Sequence, residues 1–218
     1  MALTAALTPL AVLLAVVGGV WGFASDRLAV RWPEHEEGEG GRAVGWRTVV
    51  AVLTGAAALG TVTLVYEGLA ERLVFGAYLV ALTTLLAVDL DQRLLPDELT
   101  LPAIPVALVF AFVGANPLVS PGGLPISIVV ALAVPLVLLA MSIPFGAGAF
   151  GLGDVKLLVS MGLLAGPWRL VGGVMYGVLG AGIVIVVLLV LRRITLKTYV
   201  PFGPFLVFGA MWALLAVG

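Results

Sequence analysis

The sequence predicts an all-α, polytopic membrane protein of about eight transmembrane helices with both termini outside the cytoplasm. Three observations predict it. Of the 218 residues, 62% are hydrophobic and 11% are charged, where a soluble domain carries roughly a quarter charged residues. Mean hydropathy is +1.22. Apolar stretches of about 20 residues, long enough to span a bilayer core as a helix, recur along the chain.

In order, the apolar segments are 3–23, 47–66, 72–89, 98–115, 124–144, 154–166, 170–191 and 200–217. The first has no Lys or Arg in Met1–Thr4 and no evident small-residue cleavage site, so it reads as a retained helix and not as a secretory signal. The sixth is short for a full span and is expected to be tilted or shielded by its neighbours. Connections are short apart from 24–46, which is rich in Glu, Gly and Arg and too poor in apolar residues to build a core of its own. Asn116–Gly123, with Pro117, Pro121, Gly122 and Gly123, reads as a turn. The whole of 1–218 is therefore expected to be a single membrane domain.

Positive charge sets orientation in a membrane. With 24–46 placed in the cytoplasm and the segments alternating from there, Arg27, Arg31, Arg42, Arg47, Arg93, Lys156, Arg192, Arg193 and Lys197 fall on the cytoplasmic side. Only Arg72 and Arg169 fall outside. The formal net charge of −1 shows no basic bias toward nucleic acid. The absence of cysteine excludes disulfides, thiolate zinc sites and a cysteine nucleophile. The single histidine, His35, lies in Pro33-Glu34-His35-Glu36-Glu37 and reads as a solvated loop residue.

Two acidic sites interrupt the apolar pattern, and both fall on the cytoplasmic side of this topology. Asp89 closes the third segment in Asp89-Leu90-Asp91-Gln92-Arg93, directly after Leu85-Leu86-Ala87-Val88. Asp154 follows Gly151-Leu152-Gly153. Acids at membrane depth are costly, so they mark function by default. If Asp89 and Asp154 face each other they share one proton, since two adjacent carboxylates cannot both ionise cheaply. Such a pair can hydrolyse an amide without metal or thiol. Nearby acids have plainer roles. Asp97 and Glu98 suit the start of a helix, behind Pro96 in its first turn. Asp91 suits a solvated loop or a partnership with Arg93, and Asp154 itself would suit a helix start after a glycine turn. The run Gly146–Gly153 is too small and loose for a good helix, and its backbone could hold an extended substrate strand.

Three stretches resemble the type IV prepilin peptidases, membrane aspartic peptidases of the Gly-x-Gly-Asp kind. They are Asp89–Pro102 (DLDQRLLPDELTLP), Phe150–Gly162 (FGLGDVKLLVSMG) and Val200–Phe205 (VPFGPF). Gly18–Arg27 is a looser match to the end of that family's first helix. The resemblance implies that Asp89 and Asp154 are the catalytic aspartates and that Gly151 and Gly153 shape the active-site loop, in which Lys156 fills the family's basic position after the aspartate, suited either to stabilising charge or to contacting lipid head groups. Asp91 and Asp97 are secondary candidates. It implies a prepilin or pseudopilin substrate, cleaved at the cytoplasmic face of the inner membrane with the lipid bilayer around the enzyme. No cofactor and no metal are implied for the peptidase. The short loop 24–46 stands where many members carry a longer segment with paired Cys-x-x-Cys. Those members also methylate the new N-terminus, so S-adenosylmethionine is implied only if that second activity is retained. Two other classes share some of these features. A presenilin-like intramembrane peptidase also uses Gly-x-Gly-Asp, but places its first aspartate in a Tyr-Asp context, against Val88-Asp89-Leu90 here. A proton-coupled transporter would place its acids near mid-bilayer.

Overall fold

The computed structural model describes residues 8–33, 43–145, 150–195 and 202–216. Among them are eight α-helices and no strand. They are α1 (Pro9–Ala29), α2 (Trp46–Val65), α3 (Leu69–Gln92), α4 (Asp97–Phe112), α5 (Leu124–Ser142), α6 (Leu152–Ala165), α7 (Pro167–Val190) and α8 (Gly203–Leu215). Each matches one apolar segment of the sequence. Five are long and apolar enough to cross a membrane (α1, α2, α3, α7, and α5 with the 3-10 turn before it). By contrast α4, α6 and α8 have 16, 14 and 13 residues. His35, Arg42, Lys197 and Gly146–Ala149 lie outside the described residues.

Two helix ends differ from expectation. The apolar pattern places the first helix over 3–23, but α1 starts at Pro9 and runs on to Ala29. Its start is set by Thr8, whose hydroxyl accepts the Ala11 N–H at 3.2 Å, with Pro9 in the first helical position. It passes residue 23 because its polar residues find partners while still helical. Asp26, buried, accepts a hydrogen bond from Thr48 Oγ1 at 2.8 Å, and Arg27 lies 3.5 Å from the same carboxylate oxygen. The same pattern stops the third helix at Asp89. Instead α3 continues to Gln92 and ends at Arg93, which has left-handed backbone (φ 59°) and donates its N–H to the Asp89 carbonyl at 3.0 Å. Asp89 thus sits in the last helical turn and not beyond it. Pro96 caps α4 from outside, one position earlier than its expected place in the first turn.

Lipid offers no hydrophobic drive between helices, so close van der Waals contact has to hold them together. Small residues provide it. A Cβ on Gly18 would lie 2.0 Å from the Gly55 carbonyl oxygen, and one on Gly22 would lie 2.1 Å from that of Ala51, so antiparallel α1 and α2 touch backbone to backbone. Gly173 and Gly209 do the same for α7 and α8. Outward faces remain apolar and exposed, as at Val20, Leu53, Val129 and Ile183.

Among the long helices α3 is the central one. It is 61% buried over its span, against 22–33% for the other four, and it packs on α1, α2 and α8. The short α6 is enclosed by α4, α5, α7 and α8. Leu157, Leu158 and every residue from Ser160 to Ala165 are buried, so the sixth segment is shielded by its neighbours, one of the two expected ways to accommodate its length. A single hydrophobic core joins both helices, including Phe75, Leu79, Leu82, Leu158, Met161 and Leu206. The expected turn after α4 is organised by buried Asn116. Its Oδ1 accepts the N–H of Leu118 at 2.8 Å, and its Nδ2 donates to the Leu164 carbonyl at 2.9 Å, tying the turn to the end of α6.

Candidate active site

Alternation of the helices sorts the polar residues into two ends. At one end meet the C-termini of α1 and α3 and the N-termini of α2, α4, α6 and α8. At the other, Arg72 donates to the Tyr66 carbonyl at 2.7 Å, Tyr66 OH donates to the Leu214 carbonyl, and Arg169 donates to the carbonyls of Ala213 and Ala216 at 3.0 and 2.7 Å. The two arginines that the charge count set apart therefore share the second end. All seven candidate site residues (Asp89, Asp91, Asp97, Gly151, Gly153, Asp154 and Lys156) lie at the first.

Asp89 is 4% exposed, and its Oδ2 is buried with no hydrogen-bond partner among the described residues. Burying a polar oxygen without a partner costs about 1–3 kcal/mol, and more when it is charged. Asp154 is half-buried, in the first turn of α6, where its Oδ2 accepts the Gly151 N–H at 2.9 Å. It therefore does cap a helix, as the glycine-turn reading expects, and the same bond fixes the direction of its carboxyl group.

The two glycines before Asp154 differ. A Cβ on Gly153 would lie 2.9 Å from Leu95 Cβ and 3.0 Å from the Leu95 carbonyl oxygen, so only glycine lets the α6 start approach the α3–α4 link. A Cβ on Gly151 would come no closer than 3.5 Å to anything, and its φ of −86° suits any residue. Gly151 contributes its N–H; Gly153 contributes its missing side chain.

The flanking acids are held by bases. Lys156 Nζ donates to Asp97 Oδ1 at 2.6 Å, joining α6 to the start of α4. Asp97 is thus a helix-start residue, as expected, and an ion-pair partner as well. Asp91, still helical, forms an ion pair with Arg47 of α2. The Arg47 partnership is not among the readings of the sequence, and it arises because continuation of α3 turns Asp91 toward α2. Sequence reading missed three further contacts at this end. Gln92 Nε2 donates to the Ala29 and Trp32 carbonyls at 2.6 and 3.2 Å. Asp26 pairs with Thr48 as described above. Gly203, at the start of α8, packs against the Asp89 carboxyl group. An acid within an apolar helix was a visible signal for Asp26, and a glycine between prolines at a helix start was one for Gly203.

Fold and site together describe a helical chain, with five helices long and apolar enough to cross a membrane, that carries Asp89 and Asp154 at the same end of its bundle. The chain belongs to the type IV leader peptidase family, which matches residues 76–191, more than half of it. It is 34% identical over 149 residues to the prepilin leader peptidase/N-methyltransferase of Aeromonas salmonicida (strain A449), covering 63% of this chain and 46% of that protein. A protein of the same name from Aeromonas hydrophila is 35% identical over 147 residues, with the same two coverages. Another, from Pseudomonas putida, is 33% identical over 153 residues, covering 69% of this chain and 52% of its own length. The chain spans about half the length of the curated relatives it matches. No solved structure matches it. Among the described residues, no group of three or more His, Asp or Glu side chains is placed to hold a metal ion.

Proposed function

We propose that this chain is an aspartic endopeptidase that removes the leader of type IV prepilins or pseudopilins. In this reading all eight helices span the inner membrane, both termini lie outside, and the acid end faces the cytoplasm. The catalytic groups are Asp89 and Asp154. One is ionised and takes a proton from water as the water oxygen attacks the scissile carbonyl carbon. The other is protonated and gives its proton to the carbonyl oxygen. The resulting gem-diol collapses: one hydroxyl returns its proton to the now ionised aspartate as the C=O bond re-forms, the C–N bond breaks, and the leaving nitrogen takes the proton held by the other aspartate, so the pair again holds one proton. The pair acts as a unit that holds one proton at rest.

The observation that supports this reading best is the buried Oδ2 of Asp89, which has no hydrogen-bond partner among the described residues, at the same end of the bundle as Asp154. A buried carboxyl oxygen without a partner is costly, and packing alone gives no reason for it. The position of both acids, in the last turn of α3 and the first turn of α6, favours this chemistry over a transporter with acids at mid-bilayer.

The relatives are named for N-methylation as well. That reaction would draw its methyl group from S-adenosylmethionine. The cavities between α2 and α8 and between α1 and α2 are lined by uncharged, mainly apolar side chains such as Leu53, Ala57, Thr61 and Val16. They do not fit a ligand with a sulfonium, an ammonium and a carboxylate. The test is incubation of the chain, in membranes, with a precursor bearing a basic leader before a hydrophobic helix. Mass measurement of the product N-terminus reads cleavage position and methylation together. An intact precursor after full incubation would end the peptidase reading.

A further inference from the structure

The start of α8 touches Asp89 and the loop that precedes Asp154. A Cβ built on Gly203 would lie 2.6 Å from Asp89 Cγ, 2.6 Å from Oδ2 and 2.8 Å from Oδ1, so the glycine α-carbon is seated directly against the carboxyl group. One residue earlier, the Phe202 ring stands 6.4 Å from the Phe150 ring, centroid to centroid, at 54°. Phe150 is buried and immediately precedes Gly151, the residue whose N–H holds the Asp154 carboxylate. Two consecutive residues of one helix start thus contact the first aspartate and the loop that orients the second. Packing of the helices fits this. Helix α8 packs closely on both α3 and α6, while α3 and α6 reach each other through long side chains, as in the 2.8 Å bond between Tyr78 OH and Ser160 Oγ.

We propose that Phe202 and Gly203 are positioning residues that set the approach of Asp89 to Asp154, with the α8 start acting as a bracket between α3 and α6. Its consequence for catalysis rests on the peptidase reading; the geometric claim does not. Glycine at 203 is a steric requirement. The Asp89 backbone is fixed inside α3, and α8 is fixed by buried Leu206, Val207 and Ala210, so a methyl group at 203 has to swing the carboxyl group away. The Phe150–Phe202 contact sets the α6 loop by the same logic. Deeper α8 contacts do a different job: Gly209 lies against Gly173, and Gly177 against the Phe205 carbonyl, and these seat α8 on α7.

Because the chain has no cysteine, the pair can be probed without activity. In the full chain in membranes, Asp89→Cys with Asp154→Cys is treated with a short bis-methanethiosulfonate reagent. Cross-linking is expected, and adding Phe202→Ala should lower its yield several-fold. In parallel, Gly203→Ala should lower the melting temperature of the otherwise unaltered chain, and that loss should vanish in an Asp89→Ala background, where the methyl group has room. With a cleavable precursor, Gly203→Ala should reduce kcat about 100-fold with KM nearly unchanged, the scale of a misplaced catalytic group. Gly18→Ala, at the α1–α2 contact away from α6 and α8, should reduce stability and leave kcat as it was. No cross-link in the parent pair, an unchanged yield with Phe202→Ala, or a Gly203→Ala penalty that persists in the Asp89→Ala background would overturn the proposal. Cleavage by the unaltered chain decides the peptidase reading separately.

Discussion

The two ends of the helix bundle use polar groups in opposite ways. At the end that holds Arg72 and Arg169, polar side chains finish helices: Tyr66, Arg72 and Arg169 each donate to a free terminal carbonyl, and Asn116 bonds the turn between α4 and α5 to the end of α6. Last-turn carbonyls lack intrahelical partners, so these bonds satisfy a standing need of the backbone. At the acid end most polar side chains pair with each other across helices, as in Arg47–Asp91, Lys156–Asp97 and Thr48–Asp26. At the same end Asp89 has a buried oxygen with no hydrogen-bond partner among the described residues. One end is built for stability alone. The other surrounds one unsatisfied carboxyl group with satisfied ones, and that contrast separates structural polarity from functional polarity in this chain.

The strongest way to break the contrast is to remove the acids themselves. Asp89→Asn and Asp154→Asn should each reduce precursor cleavage by more than about 1,000-fold, roughly 4 kcal/mol of transition-state stabilisation. Both should still insert and melt near the parent temperature. An amide in place of the Asp89 carboxyl leaves no charge to bury, and one in place of the Asp154 carboxyl keeps an oxygen for the Gly151 N–H. Cleavage rates and thermal unfolding on the same membranes give the answer. Near-parental activity in either variant would remove the mechanism.

Much of this end was legible in the sequence because chemistry forces its residue types. Carboxyl groups in an apolar chain stand out, and Gly151-Leu152-Gly153-Asp154 marks a place where backbone must come close. The eight apolar segments correspond to eight helices among the described residues, five of them long and apolar enough to cross a membrane, since sustained apolarity leaves the backbone to satisfy its own hydrogen bonds. What escaped was mostly partnership. The pairing of Asp91 with Arg47 is one such case, because the sequence does not show that α3 keeps its helical phase through Gln92 and turns that acid toward α2. Gly153 and Gly151 look alike on paper, and only the approach of Leu95 tells them apart. Ends escaped too: α1 runs on to Ala29 because Thr48, on another helix, was available to satisfy Asp26.

That difference between the glycines gives the next test. Gly153→Ala puts a methyl group 2.9 Å from Leu95 Cβ, and overpacking of this kind costs about 1–3 kcal/mol. Since the strain falls on the turn that aims Asp154, cleavage should drop about 10- to 100-fold, while Gly151→Ala stays within a factor of about three. Steady-state kinetics on the two variants side by side checks it. Equal losses would mean that the close approach to Leu95 has no bearing on Asp154.

At the opposite end the expectation reverses. Tyr66→Phe removes the donor to the Leu214 carbonyl, and Arg169→Ala removes the donors to Ala213 and Ala216. Each lost bond costs about 1 kcal/mol of stability. Melting temperature should fall by a few degrees with kcat unchanged. A kcat defect in either would show that the two ends are coupled and would blur the contrast between them.

The smallest effect belongs to the pair that looks most conspicuous. Lys156 and Asp97 are joined at 2.6 Å, yet the Asp97 side chain is 55% exposed, and a surface ion pair is worth about 0.2–1 kcal/mol. Lys156→Ala and Asp97→Asn should therefore each change stability by less than about 1 kcal/mol. If Lys156 does no more than tie α6 to α4, both variants should slow cleavage equally and slightly, and the double variant no further, because they break one bond. A Lys156→Ala loss well beyond that of Asp97→Asn would mean that the ammonium group acts on the reacting peptide or on Asp154 directly. Lys156 would then move from the satisfied surroundings of the site into its working centre. A double-mutant cycle on kcat, run at low and high salt, distinguishes the two, since a pair this exposed should lose its coupling as ionic strength rises.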